Sequence, residues 1–203
     1  FLTKKMVKNE GQLEQYYVKD DHEAIIDKDF WTAVQMEIAR RREYLQRHGL
    51  RTMGRYTDTQ PFSNKVFCGT CGNVFWRRTL SRLNGPVKVW MCGKRYQEKG
   101  KKGCSSGTIY EKDLHRAFLM AWNAILENRE DFLTGWQEQL RGEDVLAAFR
   151  AKQFIQLTKN TELLREIDFS LVSRTLDHCG IEPLGVINFY FLDGTELGIE
   201  IED

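Results

Sequence analysis

Apolar residues recur at helical spacing in several stretches of the chain and at alternate positions in others. Phe30, Trp31, Val34 and Ile38 predict a helix with Asp27 as N-cap. Ile26 and Trp31 are placed to form a hydrophobic staple across its entry, and Gly49 is a natural stop. Residues 111–130 predict an amphipathic helix with Leu114, Phe118, Ala121, Trp122 and Ile125 on one face. A second helix is expected around 130–140. A third spans about 143–158, with Leu146, Phe149, Phe154 and Leu157 inward. A fourth, capped by Asp168, is expected to run to Gly180 with Leu171, Val172, Thr175, Leu176 and Cys179 inward. The ending reads differently. After the Asp193-Gly194 turn, Leu197, Ile199 and Ile201 alternate with Glu196, Glu200 and Glu202, the pattern of a half-buried strand in a hairpin. Gln15–Val18 reads as another short strand.

Residues 50–64 are polar and turn-rich, a linker or extended arm. Beyond them three short runs predict strands: Lys65-Val66-Phe67, Val74-Phe75-Trp76 and Val87 to Met91. These surround the cysteines. Cys68-Gly-Thr-Cys71-Gly has the shape of a zinc knuckle, where two thiolates three positions apart grip one ion if the chain turns sharply, and Gly69 and Gly72 favour such a turn. Cys92 and Cys104 complete a set of four, at wider spacing. The site expected is therefore Cys68, Cys71, Cys92 and Cys104 around one structural Zn2+, closed to catalysis because no position is left for water. His115 is the substitute ligand. A redox Cys-x-x-Cys is the alternative for the first pair, without the βαβ context it needs. Cys179 reads as a core thiol, and five cysteines argue against a disulfide framework.

Charge changes the picture further. Residues 1–110 hold 21 Lys and Arg against 11 Asp and Glu, a net of +10, while residues 111–203 net −9. Between residues 65 and 104 there are ten basic residues and one acid, Glu98, interleaved with Trp76, Trp90 and Tyr96. Such a surface suits a polyanion. The candidate DNA contacts are Arg40, Arg41, Arg47, Arg51 and Arg55 at and after the first helix. In the cysteine segment they are Arg77, Arg78, Arg82, Lys88, Lys94, Arg95, Lys99, Lys101 and Lys102. Arg77 and Arg78 are strand neighbours, so at most one should face DNA. No run approaches the about 20 apolar residues of a membrane span. No paired carboxylates, phosphate loop or nucleophile–base motif suggests an enzyme site or a small-molecule substrate. The start at Phe1, without a methionine or signal peptide, suits an expressed fragment.

The order of motifs resembles the large serine recombinases of phages and conjugative transposons. The resemblance lies in Tyr16-Tyr17-Val18, His22-Glu-Ala24-Ile25-Ile26, Phe30-Trp31 and Val34. It continues through Pro61-Phe62-Ser63, Phe67 to Gly72, Trp90-Met-Cys92, Cys104, Ile109 and Phe191 to Glu196. It implies a part of a protein that cuts and rejoins DNA through a phosphoserine bond, with the serine in a catalytic domain not found here. Residues 1–50 would end a helical DNA-binding domain, and 61–203 would form the zinc domain that reads the outer half-site. The family's coiled-coil arm has no room in residues 134–144.

The expected fold class is α+β: a small four-cysteine zinc β-ribbon joined to a helical subdomain and a C-terminal β-hairpin, after the end of a helical DNA-binding domain. The boundaries expected are 1–50, 51–64 as linker, 65–110 for the ribbon and 111–203 for the rest. The expected function is sequence-specific binding of a double-stranded attachment site, with other recombinase subunits as partners and a bacterial cytoplasmic setting. The alternative is a zinc-ribbon interaction module of transcription or RNA metabolism.

Overall fold

The computed structural model describes residues 8–16, 18, 23–53, 60–95, 103–183 and 185–201. The first helix, α1 (Lys28–Arg47), starts where expected. The Asp27 carboxylate accepts the N–H groups of Asp29 and Phe30 at 2.9 and 3.1 Å, and Gly49 follows the helix at φ 61°. The staple does not close: Ile26 is 46% and Trp31 54% exposed, so the Asp27 cap fixes the entry. Nor is the expected apolar face the buried one. Ala33 and Tyr44 are buried, while Phe30, Val34 and Ile38 line an open groove of about 480 Å3. Residues 15, 16 and 18, the described part of the expected first strand, carry no strand, because neither sheet extends to them.

Two sheets follow. One has four strands in the order β1 (Val66–Cys68), β5 (Leu176–Ile181), β6 (Val186–Phe191) and β7 (Glu196–Glu200). The other has β2 (Phe75–Arg82), β3 (Gly85–Cys92) and β4 (Thr108–Tyr110), all antiparallel. β4 was not foreseen; three residues carry too little pattern to register. β1 was expected in the ribbon but pairs in parallel with β5, Val66 opposite Cys179. A single bridge, Phe67 with Val74, ties it back to the ribbon.

α2 (Glu111–Glu127) buries all five residues expected on its inner face, together with Ala117. Phe118 meets Phe189 and Phe191 of β6. α3 (Arg129–Arg141) and α4 (Val145–Thr158) pack as a pair, with Trp136 and Trp122 both against Phe154. The inner face of α4 is rotated from the expected one. Arg150, Ala151, Phe154 and Thr158 are buried, while Phe149 turns toward Phe30 of α1. The cause is a second neighbour, since α4 lies between the core and α1.

The helix expected from Asp168 to Gly180 is α5 (Phe169–Thr175) only. Asp168 caps it by accepting the Ser170 N–H at 2.8 Å. Leu176 onward is β5, where Cys179 pairs between β1 and β6 and is fully buried. A seven-residue helix followed by a central strand has the same apolar content as one longer helix, and the parallel partner decides between them. The hairpin around Asp193-Gly194 forms as expected, with Gly194 at φ 93°.

One hydrophobic core runs from Phe62 through Cys68, Phe75, Trp90, α2 and α4 to Phe191. It crosses the boundary expected at residue 110. It also takes in the end of the expected linker, since Pro61 and Phe62 are buried.

Candidate metal centre and nucleic-acid interface

The first knuckle grows from the end of β1. Gly72 sits at φ 68° and donates its N–H to the Cys68 carbonyl at 2.8 Å, while the Cys68 N–H bonds the Asn73 carbonyl at 2.9 Å. Gly69 has an ordinary φ and lets the Glu182 side chain lie close against the turn. A Cβ there would overlap the Glu182 carboxylate, and its N–H bonds the Ile181 carbonyl at 2.9 Å.

The second knuckle closes the wide spacing by local pairing. The Cys104 N–H donates to the Lys94 carbonyl and the Gly103 N–H to the Arg95 carbonyl, both at 3.2 Å. Residues 94–95 thus lie against 103–104, bringing Cys104 back to Cys92. A Cβ on Gly103 would run into the Lys94 carbonyl oxygen, and one on Gly93 would meet Trp76 Nε1 and Asn73 Oδ1.

The four sulfur atoms converge. All lie within 4.8 Å of one another, with Cys68 to Cys104 at 3.7 Å and Cys71 to Cys92 at 3.5 Å. Tetrahedral thiolates at a zinc–sulfur bond of about 2.3 Å stand about 3.8 Å apart, so the set fits one zinc ion. Burial works against ionising Cys68. The Ser106 side chain and the Cys71 and Thr70 backbone outweigh it and draw the thiol down to about 7. Burial pushes Cys92 up to about 12, with the Cys71 and Cys68 thiols adding to it and the Lys94 backbone opposing. A divalent cation at the centre holds all four as thiolates. His115 is elsewhere, stacked on Phe62 at 5.6 Å, with burial lowering its pKa.

The basic residues divide into two groups. In the ribbon, Arg77 and Arg78 point to opposite faces. Arg77 Nη2 donates to Glu111 of α2 at 2.6 Å and Nε to the same carboxylate, while Arg78 is exposed. Arg95 donates to the Ser106 carbonyl at 2.9 Å and Thr108 Oγ1 at 3.0 Å, which braces the second knuckle. Lys94 is half-buried there. Arg82 and Lys88 are exposed, with Lys88 Nζ on Thr79 Oγ1 at 2.7 Å. Trp90 is core, and Trp76 is half-exposed.

On α1, Arg40 and Arg41 both bond Glu37, and Arg40 also reaches Asp177 of β5. Arg150 of α4 joins the same Glu37 at 2.5 Å. Burial raises Glu37, yet its hydrogen bonds to Arg40 and Arg41 hold it at about 2. Lys65, almost fully buried nearby, donates to the Leu176 carbonyl, and burial lowers it to about 8. Sequence reading missed this network. Its one legible signal was the i,i+3 and i,i+4 spacing of Glu37 with Arg40 and Arg41. Arg47 and Arg51 are exposed. Arg55, Tyr96, Lys99, Lys101 and Lys102 lie outside the described residues.

Residues 61–123 match the family described as the recombinase zinc beta ribbon domain. The match begins at the buried Pro61-Phe62 and ends inside α2, while the shared core continues to Phe191. No curated protein matches the sequence. Among solved structures, one described as "Crystal Structure of a LSR-DNA Complex", a large serine recombinase with DNA, is similar in fold. Its TM-score is 0.52 at 13% identity, covering 87% of this chain and 68% of that one. Over residues 61–123 the chain is therefore similar to the recombinase zinc β-ribbon family, and its fold as a whole is similar to that of the solved recombinase–DNA structure.

Proposed function

We propose that this chain is the DNA-binding part of a serine site-specific recombinase, holding a double-stranded attachment site while a serine elsewhere in the whole protein cuts and rejoins the strands. One observation carries the reading: a zinc-braced hairpin in which no residue from 65 to 97 is acidic. Its exposed cations, Arg78, Arg82 and Lys88, have DNA phosphates as natural partners. Arg47 and Arg51 extend the same charge from α1, and Arg55, Lys99, Lys101 and Lys102 complete the proposed set with the half-buried Lys94. Arg40, Arg41, Arg77 and Arg95 hold the fold. The solved relative was crystallised with DNA, which supports the assignment.

Partners in this reading are the duplex site of a mobile element and further recombinase subunits, in the bacterial cytoplasm. Among the described residues no helix is long and apolar enough to cross a membrane. The test is binding to duplexes selected from a randomised pool, read at several salt concentrations. Enrichment of a sequence, with affinity falling steeply as salt rises, is expected. Absence of enrichment together with capture of a protein partner would favour an interaction module instead. Incubation of this chain with the selected duplex should give no covalent protein–DNA product.

A further inference from the structure

The outer part of the β2–β3 hairpin has no structural partner among the described residues. β4 pairs only with Val89 to Met91, so the pairs from Thr79–Lys88 to Arg82–Gly85 project as a bare two-stranded ribbon. Four residues per strand at about 3.3 Å each make a finger about 13 Å long. At its end stand Leu83 and Asn84, with Gly85 at φ 105° closing the turn. Leu83 is 107% exposed, more than any other large apolar residue described. Asn84 is also exposed, and its amide makes no hydrogen bond within the described residues. Leu80 and Val87 pair across one face of the finger and are half-buried, whereas Leu83 and the free amide at the tip stand clear of the rest of the described chain and need another reason. A turn in water is served as well by polar residues.

The surroundings say which surface the tip meets. Arg82 stands on one face of the finger, in line with Arg78 just below its base, and Lys88 lies on the other. Both faces are therefore cationic, as suits an element flanked by polyanion on two sides. The major groove of duplex DNA is about 12 Å wide and 8.5 Å deep, and it admits a two-stranded β-ribbon between its phosphate walls. Its floor offers complements to both tip side chains. A thymine 5-methyl takes an apolar contact, and an adenine presents N7 and N6 to an asparagine amide.

Resting on the DNA-binding reading above, we propose that the Leu83–Asn84 tip enters the major groove and reads an A·T pair. Leu83 packs on the thymine methyl and Asn84 bonds the adenine edge. The arginines and the lysine beside it set depth and orientation on the phosphates.

The experiment uses the chain with zinc and a duplex selected from a randomised pool. Each thymine of that duplex is replaced in turn by uracil, which lacks the methyl, and each adenine by 7-deazaadenine, which lacks N7. One uracil position should weaken wild-type binding by about fourfold, the worth of one buried methyl. A 7-deazaadenine at the same or the adjoining pair should weaken it by about tenfold. Leu83→Ala should lose the uracil penalty and Asn84→Ala the deazaadenine penalty, each keeping the wild-type salt slope because no charge is removed. Both residues are exposed, so the variants should keep their zinc and fold. The proposal is overturned if no single uracil affects wild-type binding, or if Leu83→Ala keeps the full penalty. A pool from which nothing is enriched removes the DNA-binding reading itself, a different result from enrichment without a response at the tip.

Discussion

The zinc ribbon and the body that follows it reach stability by different means. The ribbon has ten basic residues and one acid between 65 and 104, and its outer strands are exposed on both faces. A two-stranded hairpin of that kind is marginal in water. Four thiols and their ion, together with Phe75 and Trp90 anchored in the core, supply what the finger lacks. The body is acidic and is held by apolar burial around Trp122, Phe154 and Phe189. The difference separates two tasks. A strongly cationic surface cannot bury much of itself, so a metal replaces the missing core, and the acidic part stands on hydrophobic contacts. The two still meet at Cys68, which is both a zinc ligand and a core residue of the four-stranded sheet.

Removing the metal should break the comparison most sharply. Structural zinc contributes about 10–16 kcal/mol of apparent folding energy in small zinc domains. Chelation, or Cys71→Ser, should abolish amide protection in β2, β3 and β4 while α2, α3 and α4 keep most of theirs. Hydrogen exchange followed by segment decides it. Collapse of helical protection to the same extent would mean that the body depends on the metal as much as the ribbon does. The reverse perturbation is next in size. Trp122→Ala in the body should cost about 3–5 kcal/mol, the usual range for an aromatic removed from a core. Thermal unfolding should show it, with zinc stoichiometry unchanged in the protein that remains folded.

How far sequence reading reached follows the same division. The α2 face was legible because Leu114, Phe118, Ala121, Trp122 and Ile125 meet one continuous core, so the period of the pattern is the period of burial. The cysteine set was legible because ligand type and knuckle glycines are local signals. Closure by residues 94–95 against 103–104 explains why the wide second spacing still works. What failed had two neighbours or a distant one. α4 is packed on both sides, which brought Arg150 inward and left Phe149 half-open. Residues 176–181 became strand because β1, over 100 residues away in sequence, supplies a parallel edge. The charge asymmetry counts side chains without their partners, so it could not tell Arg40, tied to Asp177, from Arg47, which faces solvent.

The joint between α1 and the body gives a third prediction, set by pH. The Arg40 and Arg41 side chains hold Glu37 at about 2 in the folded chain, against the effect of burial, while an unfolded glutamate titrates near about 4.3. A depressed carboxyl stabilises fully above the unfolded value and loses its contribution as pH falls through the folded one. The network therefore contributes at most about 3 kcal/mol at neutral pH, fading between about pH 5 and pH 2. Glu37→Gln should be less stable than the parent at pH 7 by up to that amount, and the two should converge near pH 2. Urea unfolding at stepped pH measures the gap. A constant gap across the range would place the loss in packing rather than in charge.

The smallest expected effects separate two neighbouring arginines. Arg77 is paired with Glu111 and holds the hairpin to α2, while Arg78, one residue on, faces solvent from the opposite side. Arg77→Ala should cost about 1 kcal/mol, the upper end for a partly exposed ion pair. It should leave the salt dependence of DNA binding close to wild type. Arg78→Ala should change stability by less than about 0.5 kcal/mol. If it contacts a phosphate, it should lower the slope of log affinity against log salt by about 0.9. Glu111→Gln supplies the control, because it releases Arg77 without removing it. That variant should share the stability loss of Arg77→Ala, with all ribbon cations still present. Unfolding curves and salt titrations on the three proteins give a crossed pattern. If Arg77→Ala flattens the salt slope as much as Arg78→Ala does, Arg77 meets DNA despite its pairing with Glu111, and the division of the two arginines into one that holds the fold and one that faces DNA fails.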